Sequence, residues 1–154
     1  MLLEEILVAT TRSQEETIEL GLKLAQNLRG GEVLALHGDL GGGKTTFIKG
    51  LAEGLRINET ITSPTFVILK KYDGWASGKR IELVHIDSYR ADTIEDIKSV
   101  GIEDFLNRFD VILVVEWAEK IKAILPSEII ELDFKFLDDS TREITIRGIN
   151  DFSA

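Results

Sequence analysis

A chain of 154 residues is long enough for one domain with a substantial core, and we predict a single domain over residues 1–154. Its 27 acidic and 18 basic residues give a net charge of −9 without any basic run, which argues against direct binding of nucleic acid. The lack of cysteine excludes disulfides and thiolate metal sites, and no apolar run approaches the roughly 20 residues of a membrane span. Because the sequence also has no signal-peptide pattern, we expect a cytoplasmic protein.

The first predicted elements are a helix, a strand and a second helix. Residues 13–16 have the Ser-x-x-Glu pattern of a capping box, which predicts a helix that runs to about Leu28. Residues 32–37 predict a buried strand. Residues 44–55 carry apolar side chains at helical spacing and predict the next helix.

The rest of the chain is predicted to alternate strands with turns and one short helix. The predicted strands lie at residues 67–71, 80–87, 111–115, 130–136 and 144–146. Turns are expected at residues 73–74 and 77–78, and a short helix at residues 93–98. The strand at 111–115 is the most continuously apolar run, which is typical of a central strand covered on both faces. The order of elements predicts an α/β fold with a mixed, mostly parallel central sheet, flanking helices and β-hairpins at the edge.

A glycine-rich loop lies between the first predicted strand and the second predicted helix. Residues 38–45 have the pattern G-x-x-x-x-G-K-T of a phosphate-binding loop, or Walker A motif. Lys44 would reach the β- and γ-phosphates, Thr45 would bind magnesium, and Thr46 would donate to a further phosphate oxygen. A glycine-rich turn that matches by chance is the alternative, but the motif requires the strand–loop–helix order found here. The backbone groups expected to wrap the triphosphate belong to Asp39, Leu40, Gly41, Gly42, Gly43, Lys44, Thr45 and Thr46.

Two acidic residues end predicted strands. Glu116 follows the central apolar strand, and Asp87 ends the strand at residues 80–87. Ligands of open α/β sheets bind at the carboxyl ends of parallel strands, where a carboxylate can hold magnesium or orient water. We therefore predict catalytic roles for Lys44, Asp87 and Glu116. The alternatives are that Glu116 caps a helix beginning near Trp117 and that Asp87 is an ordinary acid at a strand end.

A third segment has the character of a nucleotide-responsive switch. Ser63, Pro64, Thr65 and Phe66 combine a restrained backbone with two hydroxyl groups that would sense the γ-phosphate. A simple Ser-Pro turn is the alternative interpretation. His37 and His85 lie in predicted strands and are interpreted as core or edge residues.

Together these motifs resemble the bacterial TsaE (YjeE) family of P-loop ATPases, which acts in tRNA threonylcarbamoyladenosine synthesis. The resemblance extends over nearly the whole chain and departs from the family where Gly42 replaces the usual alanine and Ser88 the usual leucine. It rests on residues 38–47 (GDLGGGKTTF), 63–66 (SPTF), 85–90 (HIDSYR), 101–105 (GIEDF) and 116–119 (EWAE).

The resemblance implies ATP or ADP and Mg²⁺ as cofactors. Thr45 and Glu116 would hold the metal, and Asp87 would complete the catalytic group. The adenine would lie between Ser13, at the start of the first helix, and Arg142, in the C-terminal hairpin.

The resemblance also implies two protein partners, TsaD and TsaB, with tRNA reached only through them. Hydrolysis would be slow in the isolated chain and stimulated by the partners, and it would reset their complex between turnovers. Two other functions stay open: a P-loop small-molecule kinase, and a nucleotide-gated protein-binding module.

Overall fold

The computed structural model describes residues 5–38, 41–62, 69–149 and 152. The strands are β1 (Ile6–Thr11), β2 (Val33–Gly38), β3 (Leu69–Ala76), β4 (Lys79–Asp87), β5 (Val111–Glu116), β6 (Ile130–Phe136) and β7 (Arg142–Arg147). The α-helices are α1 (Gln14–Ala25), α2 (Lys44–Gly54) and α3 (Ile94–Lys98), and short 3₁₀ turns lie at Ile102–Asp104, Ala118–Lys120 and Lys122–Ile124. None of the described helices is long and apolar enough to cross a membrane.

The seven strands form one mixed sheet in the order β1-β7-β6-β2-β5-β4-β3. The four inner strands β6, β2, β5 and β4 are mutually parallel, whereas β1, β7 and β3 pair antiparallel with their neighbours. This arrangement confirms the predicted α/β fold with a parallel centre and hairpins at the edge. Parallel pairing brings the carboxyl ends of β2, β4 and β5 to one edge, and it pairs Glu116 with both Leu36 and Asp87.

Helices α1 and α2 pack side by side on one face of the sheet and bury its larger apolar cluster. Glycines allow this close approach: a Cβ atom at Gly50 would lie 1.9 Å from the carbonyl oxygen of Ile18. The opposite face is covered by α3 and by the segments on either side of β5. The helices lie with their N-terminal ends together, because Thr17 of α1 is beside Gly43 at the start of α2.

The structure differs from the sequence prediction at three places in the fold. Strand β1 was not predicted, and α1 ends at Ala25, before the expected Leu28. Asp73 and Gly74 lie inside β3 and form no turn. Gly74 serves close packing instead, because a Cβ atom there would lie 2.6 Å from the carbonyl oxygen of Leu55 at the end of α2. The turn predicted at residues 77–78 is confirmed between β3 and β4.

Candidate functional site

A cleft of about 450 Å³ opens where β2, β4 and β5 end beside the N-termini of α1 and α2. Gly42 lies buried between two of the glycines that line this cleft. Asp39 and Leu40 of the loop, and the predicted switch residues Ser63, Pro64, Thr65 and Phe66, lie outside the described residues. The predicted site residues that line the cleft are Ser13, Gly41, Gly43, Lys44, Thr45, Thr46, Asp87, Glu116 and Arg142.

The glycine loop leads directly into α2. Gly43 precedes the helix with φ = 98°, a left-handed conformation that side chains other than glycine rarely adopt. The first helical hydrogen bond runs from the N–H of Phe47 to the carbonyl oxygen of Gly43, over 2.9 Å. Gly43 has no side chain with which to cap this helix, and the N-terminal end of a helix favours an anion through its N–H groups and its dipole.

The Lys44 side chain lies across the base of the cleft. Its ammonium group donates a hydrogen bond to the carbonyl oxygen of Gly38, over 2.6 Å, and lies 3.9 Å from the centre of the Trp117 ring. The Trp117 backbone is in the left-handed region, with φ = 57°, and its ring packs at 5.0 Å from that of Tyr89. These contacts keep a buried cation at the N-terminal end of α2.

Asp87 and Glu116 form an acidic pair on adjacent strands. Burial raises the pKa of Asp87, the N–H of Tyr89 at 2.9 Å lowers it, and the negative charge of Glu116 raises it further. Glu116 is 4% exposed, and its Oε2 lies 2.7 Å from Nε2 of His85. Because the like charges repel in a partly buried place, a cation beside them is favoured.

The donor set of the cleft fits a divalent cation held beside phosphate. Mg²⁺ prefers oxygen ligands, and in phosphate sites it takes one or two protein groups together with phosphate and water oxygens. The Thr45 hydroxyl and the Glu116 carboxylate line the cleft and would supply ligands of this kind, and Lys44 brings a positive charge to the same cleft.

The far wall of the cleft is formed by the turn between β6 and β7. The Arg142 guanidinium donates to the carbonyl oxygens of Gly41, at 3.0 Å, and Asp138, at 2.6 Å, and lies 4.6 Å from the Phe136 ring. The Ser13 hydroxyl, which also lines the cleft, accepts a hydrogen bond from the N–H of Glu16 and caps α1. Ser13 and Arg142 both line the cleft and lie near each other, because Arg142 pairs with Thr11 at the end of β1. Their contact with adenine stays a prediction.

Several residues at or near the cleft were not assigned a role from the sequence, among them the lining residues Gln14, Thr17, Asp139 and Ser140. His85 was interpreted as a core or edge residue, although its position two residues before Asp87 places both on one face of β4. Tyr89 and Trp117 also line the cleft. The helix expected near Trp117 is absent from this described segment, where two short 3₁₀ turns follow instead, so Glu116 caps no α-helix there.

Comparison with known proteins gives one consistent family. Residues 11–144 match the family model described as "Threonylcarbamoyl adenosine biosynthesis protein TsaE". Proteins named tRNA threonylcarbamoyladenosine biosynthesis protein TsaE are similar over most of their length. That of Treponema pallidum is 39% identical and covers 88% of this chain and 96% of its own. That of Aquifex aeolicus is 37% identical, covering 94% and 96%.

A solved structure supports the same relationship. The crystal structure of Bacillus subtilis YdiB superposes with a TM-score of 0.77 at 34% sequence identity, and covers 97% of this chain and 90% of its own.

Proposed function

The chain belongs to the TsaE family, and on this basis we propose that it is a magnesium-dependent ATPase required for threonylcarbamoyladenosine modification of tRNA. In this proposal it acts in the cytoplasm on a complex of TsaD and TsaB and supports repeated turnovers of that complex. The observation that carries the proposal is the shared cleft of Lys44, Asp87 and Glu116 at the N-terminal end of α2. Phosphoryl transfer requires this combination of a fixed cation and carboxylates beside a phosphate-binding loop.

Each residue has a distinct task in the proposed reaction. The backbone N–H groups of residues 41–46 bind the triphosphate, and Lys44 donates to its β- and γ-oxygens. Thr45 and Glu116 would hold Mg²⁺, which when bound would neutralise charge on the transferred phosphate. Asp87 accepts a hydrogen bond from the attacking water and orients it.

Hydrolysis by the isolated chain is expected to be slow. Among the described residues, Arg142 is the one arginine that lines the cleft, and its guanidinium is already bound to the carbonyl oxygens of Gly41 and Asp138. A transition-state arginine supplied by another protein is worth a factor of about 10³–10⁵ in rate. The net charge of −9 also suits a protein that works on protein partners and reaches tRNA through them.

The test is magnesium-dependent ATP hydrolysis by the chain alone and with TsaD, TsaB and tRNA. We expect low basal turnover, stimulation by the partners, and loss of turnover in Lys44→Ala and Glu116→Gln. Lys122→Ala is a matched control, because its side chain is 71% exposed on a 3₁₀ turn and it should hydrolyse ATP normally. Equal rates with and without partners would contradict the proposal. ATP binding without hydrolysis would indicate a nucleotide-gated module, and phosphate transfer to a metabolite would indicate a kinase.

A further inference from the structure

We propose that His85 is a positioning residue that fixes the orientation of the Glu116 carboxylate in the cleft. The inference rests on the proposed function, because it assigns a purpose to the orientation of a metal-binding carboxylate. Among the described residues, His85 is the one hydrogen-bond partner of that carboxylate, with 2.7 Å between Nε2 and Oε2. The His85 side chain is completely buried, so this contact is not exchanged with solvent.

The surroundings of the ring determine which nitrogen carries the proton. The other ring nitrogen, Nδ1, is buried and has no hydrogen-bond partner in the described part of the chain. A proton on Nδ1 would leave a buried N–H group unsatisfied and would direct the Nε2 lone pair at a carboxylate oxygen 2.7 Å away. The tautomer with its proton on Nε2 avoids both problems and donates a hydrogen bond to Glu116.

The backbone at Glu116 is fixed by separate hydrogen bonds from Ser88, the residue that follows β4. The hydroxyl of Ser88 donates to the carbonyl oxygen of Glu116 at 2.7 Å and approaches that of Trp117 at 3.0 Å. The N–H of Ser88 also donates to the carbonyl oxygen of Glu116, at 3.2 Å. With the main chain held by Ser88, the remaining freedom of Glu116 is rotation about its side-chain bonds, and the His85 contact restricts that rotation.

The Glu116 carboxylate is thus held through Oε2 by a buried ring on the side away from the cleft, while Glu116 itself lines the cleft. Hydrogen bonds from an outer shell orient metal ligands in this way, and their loss weakens metal affinity by about 10–100-fold. His85 is not itself a catalytic residue, because it lies behind Glu116 and is sealed from the cleft. If His85 were purely structural, any hydrogen-bond partner would satisfy its ring, and the orientation of the Glu116 carboxylate would not matter.

Two variants of His85 separate positioning from packing. His85→Phe keeps a ring but removes the donor, whereas His85→Gln retains an N–H donor near the position of Nε2. Val84→Ala is the matched stability control, because Val84 is also completely buried on β4 but packs in the cluster on the other face of the sheet. We expect His85→Phe to raise the Mg²⁺ concentration for half-maximal ATP affinity about 10–100-fold. Its ATP affinity without Mg²⁺ should be unchanged, and His85→Gln should largely restore the Mg²⁺ response.

A second pair of measurements does not depend on nucleotide. NMR of labelled histidine in the free protein should show the Nε2–H tautomer of His85. Crystal structures should show the Glu116 carboxylate rotated in His85→Phe but not in His85→Gln or Val84→Ala. An Nδ1–H tautomer, an unmoved carboxylate in His85→Phe, or a Mg²⁺ response equal to that of Val84→Ala would each overturn the inference. If the wild-type protein binds no ATP with Mg²⁺, the proposed function fails, and the tautomer and the carboxylate position still decide the role of His85.

Discussion

The close contact between α1 and α2 predicts that Gly50→Ala destabilises the protein, although helix propensity alone predicts the opposite. Gly50 lies inside α2, where alanine normally stabilises a helix by about 1 kcal/mol. A Cβ atom at Gly50 would lie 1.9 Å from the carbonyl oxygen of Ile18, and real Cβ contacts stay beyond 3.0 Å. Helix α1 must therefore move away by about 1 Å in Gly50→Ala, because the opposing atoms belong to the backbone and cannot rotate aside.

The expected net effect of Gly50→Ala is a loss of about 2 kcal/mol in the free energy of unfolding. Overpacking costs about 1–3 kcal/mol or more, and a rigid backbone clash belongs at the upper end, which outweighs the propensity gain. For a chain of this size the melting temperature should fall by about 4–8 °C. Nucleotide affinity should fall as well, because the same movement draws Thr17 away from Gly43 at the cleft.

Urea unfolding and calorimetry measure the change in stability. The control is Lys49→Ala, an exposed substitution one residue earlier on α2, which should change stability by no more than about 0.5 kcal/mol. If Gly50→Ala is as stable as the wild type, or more stable, helix propensity dominates and the reasoning from close packing is refuted.

Two further predictions concern the cleft. Burial of Asp87, together with its neighbour Glu116, raises the Asp87 pKa above 3.8, so the folded protein loses stability as pH rises from about 4 through that raised value. Asp87→Asn should therefore melt higher than the wild type at pH 7 yet hydrolyse ATP more slowly. The difference in melting temperature should shrink towards pH 4, and a difference that is constant with pH would contradict the assignment. Arg142→Ala removes the donor to the carbonyl oxygen of Gly41 and should weaken nucleotide binding about 5–30-fold, the equivalent of roughly 1–2 kcal/mol. If Arg142 braces the loop, calorimetric titrations should show equal losses for ATP and inorganic tripolyphosphate, whereas a loss for ATP alone would indicate contact with adenine.

The parts of the fold that follow from the sequence are those with strong local patterns. The buried run of β5, the glycine before α2 and the Ser13 cap of α1 each carry their own signal and lie where they were predicted, although the Glu16 carboxylate accepts from the N–H of Arg12 and completes no capping box. Strand β1 has no alternation of apolar and polar residues, because Ile6 and Val8 are exposed apolar side chains on an edge strand. Its structure depends on pairing with β7, which lies more than a hundred residues later and leaves no local trace.

The sequence predicted which residues lie at the candidate site, but it did not predict the contacts that these residues make with their neighbours. Lys44, Asp87 and Glu116 were assigned from motif and position at strand ends, and the structure places them around one cleft. The contact of His85 with Glu116 joins residues 31 positions apart, and it exists only because β4 and β5 pair in one register. The alternation of side chains along β4 predicts the face on which His85 lies, but it does not predict that the ring contacts Glu116 on β5.

Three locally unfavourable features meet at the carboxyl ends of β4 and β5. Trp117 has a left-handed backbone, Asp87 has a raised pKa beside a second carboxylate, and Nδ1 of His85 is buried without a partner in the described part of the chain. Ordinary substitutions would relieve each of them, and proteins keep such features mainly where function requires them. A cation between the two acids would offset their repulsion, and a ligand present at 100 times its dissociation constant adds about 2.7 kcal/mol of stability. Under the proposed function, bound ATP and Mg²⁺ would offset the unfavourable energy of these three features.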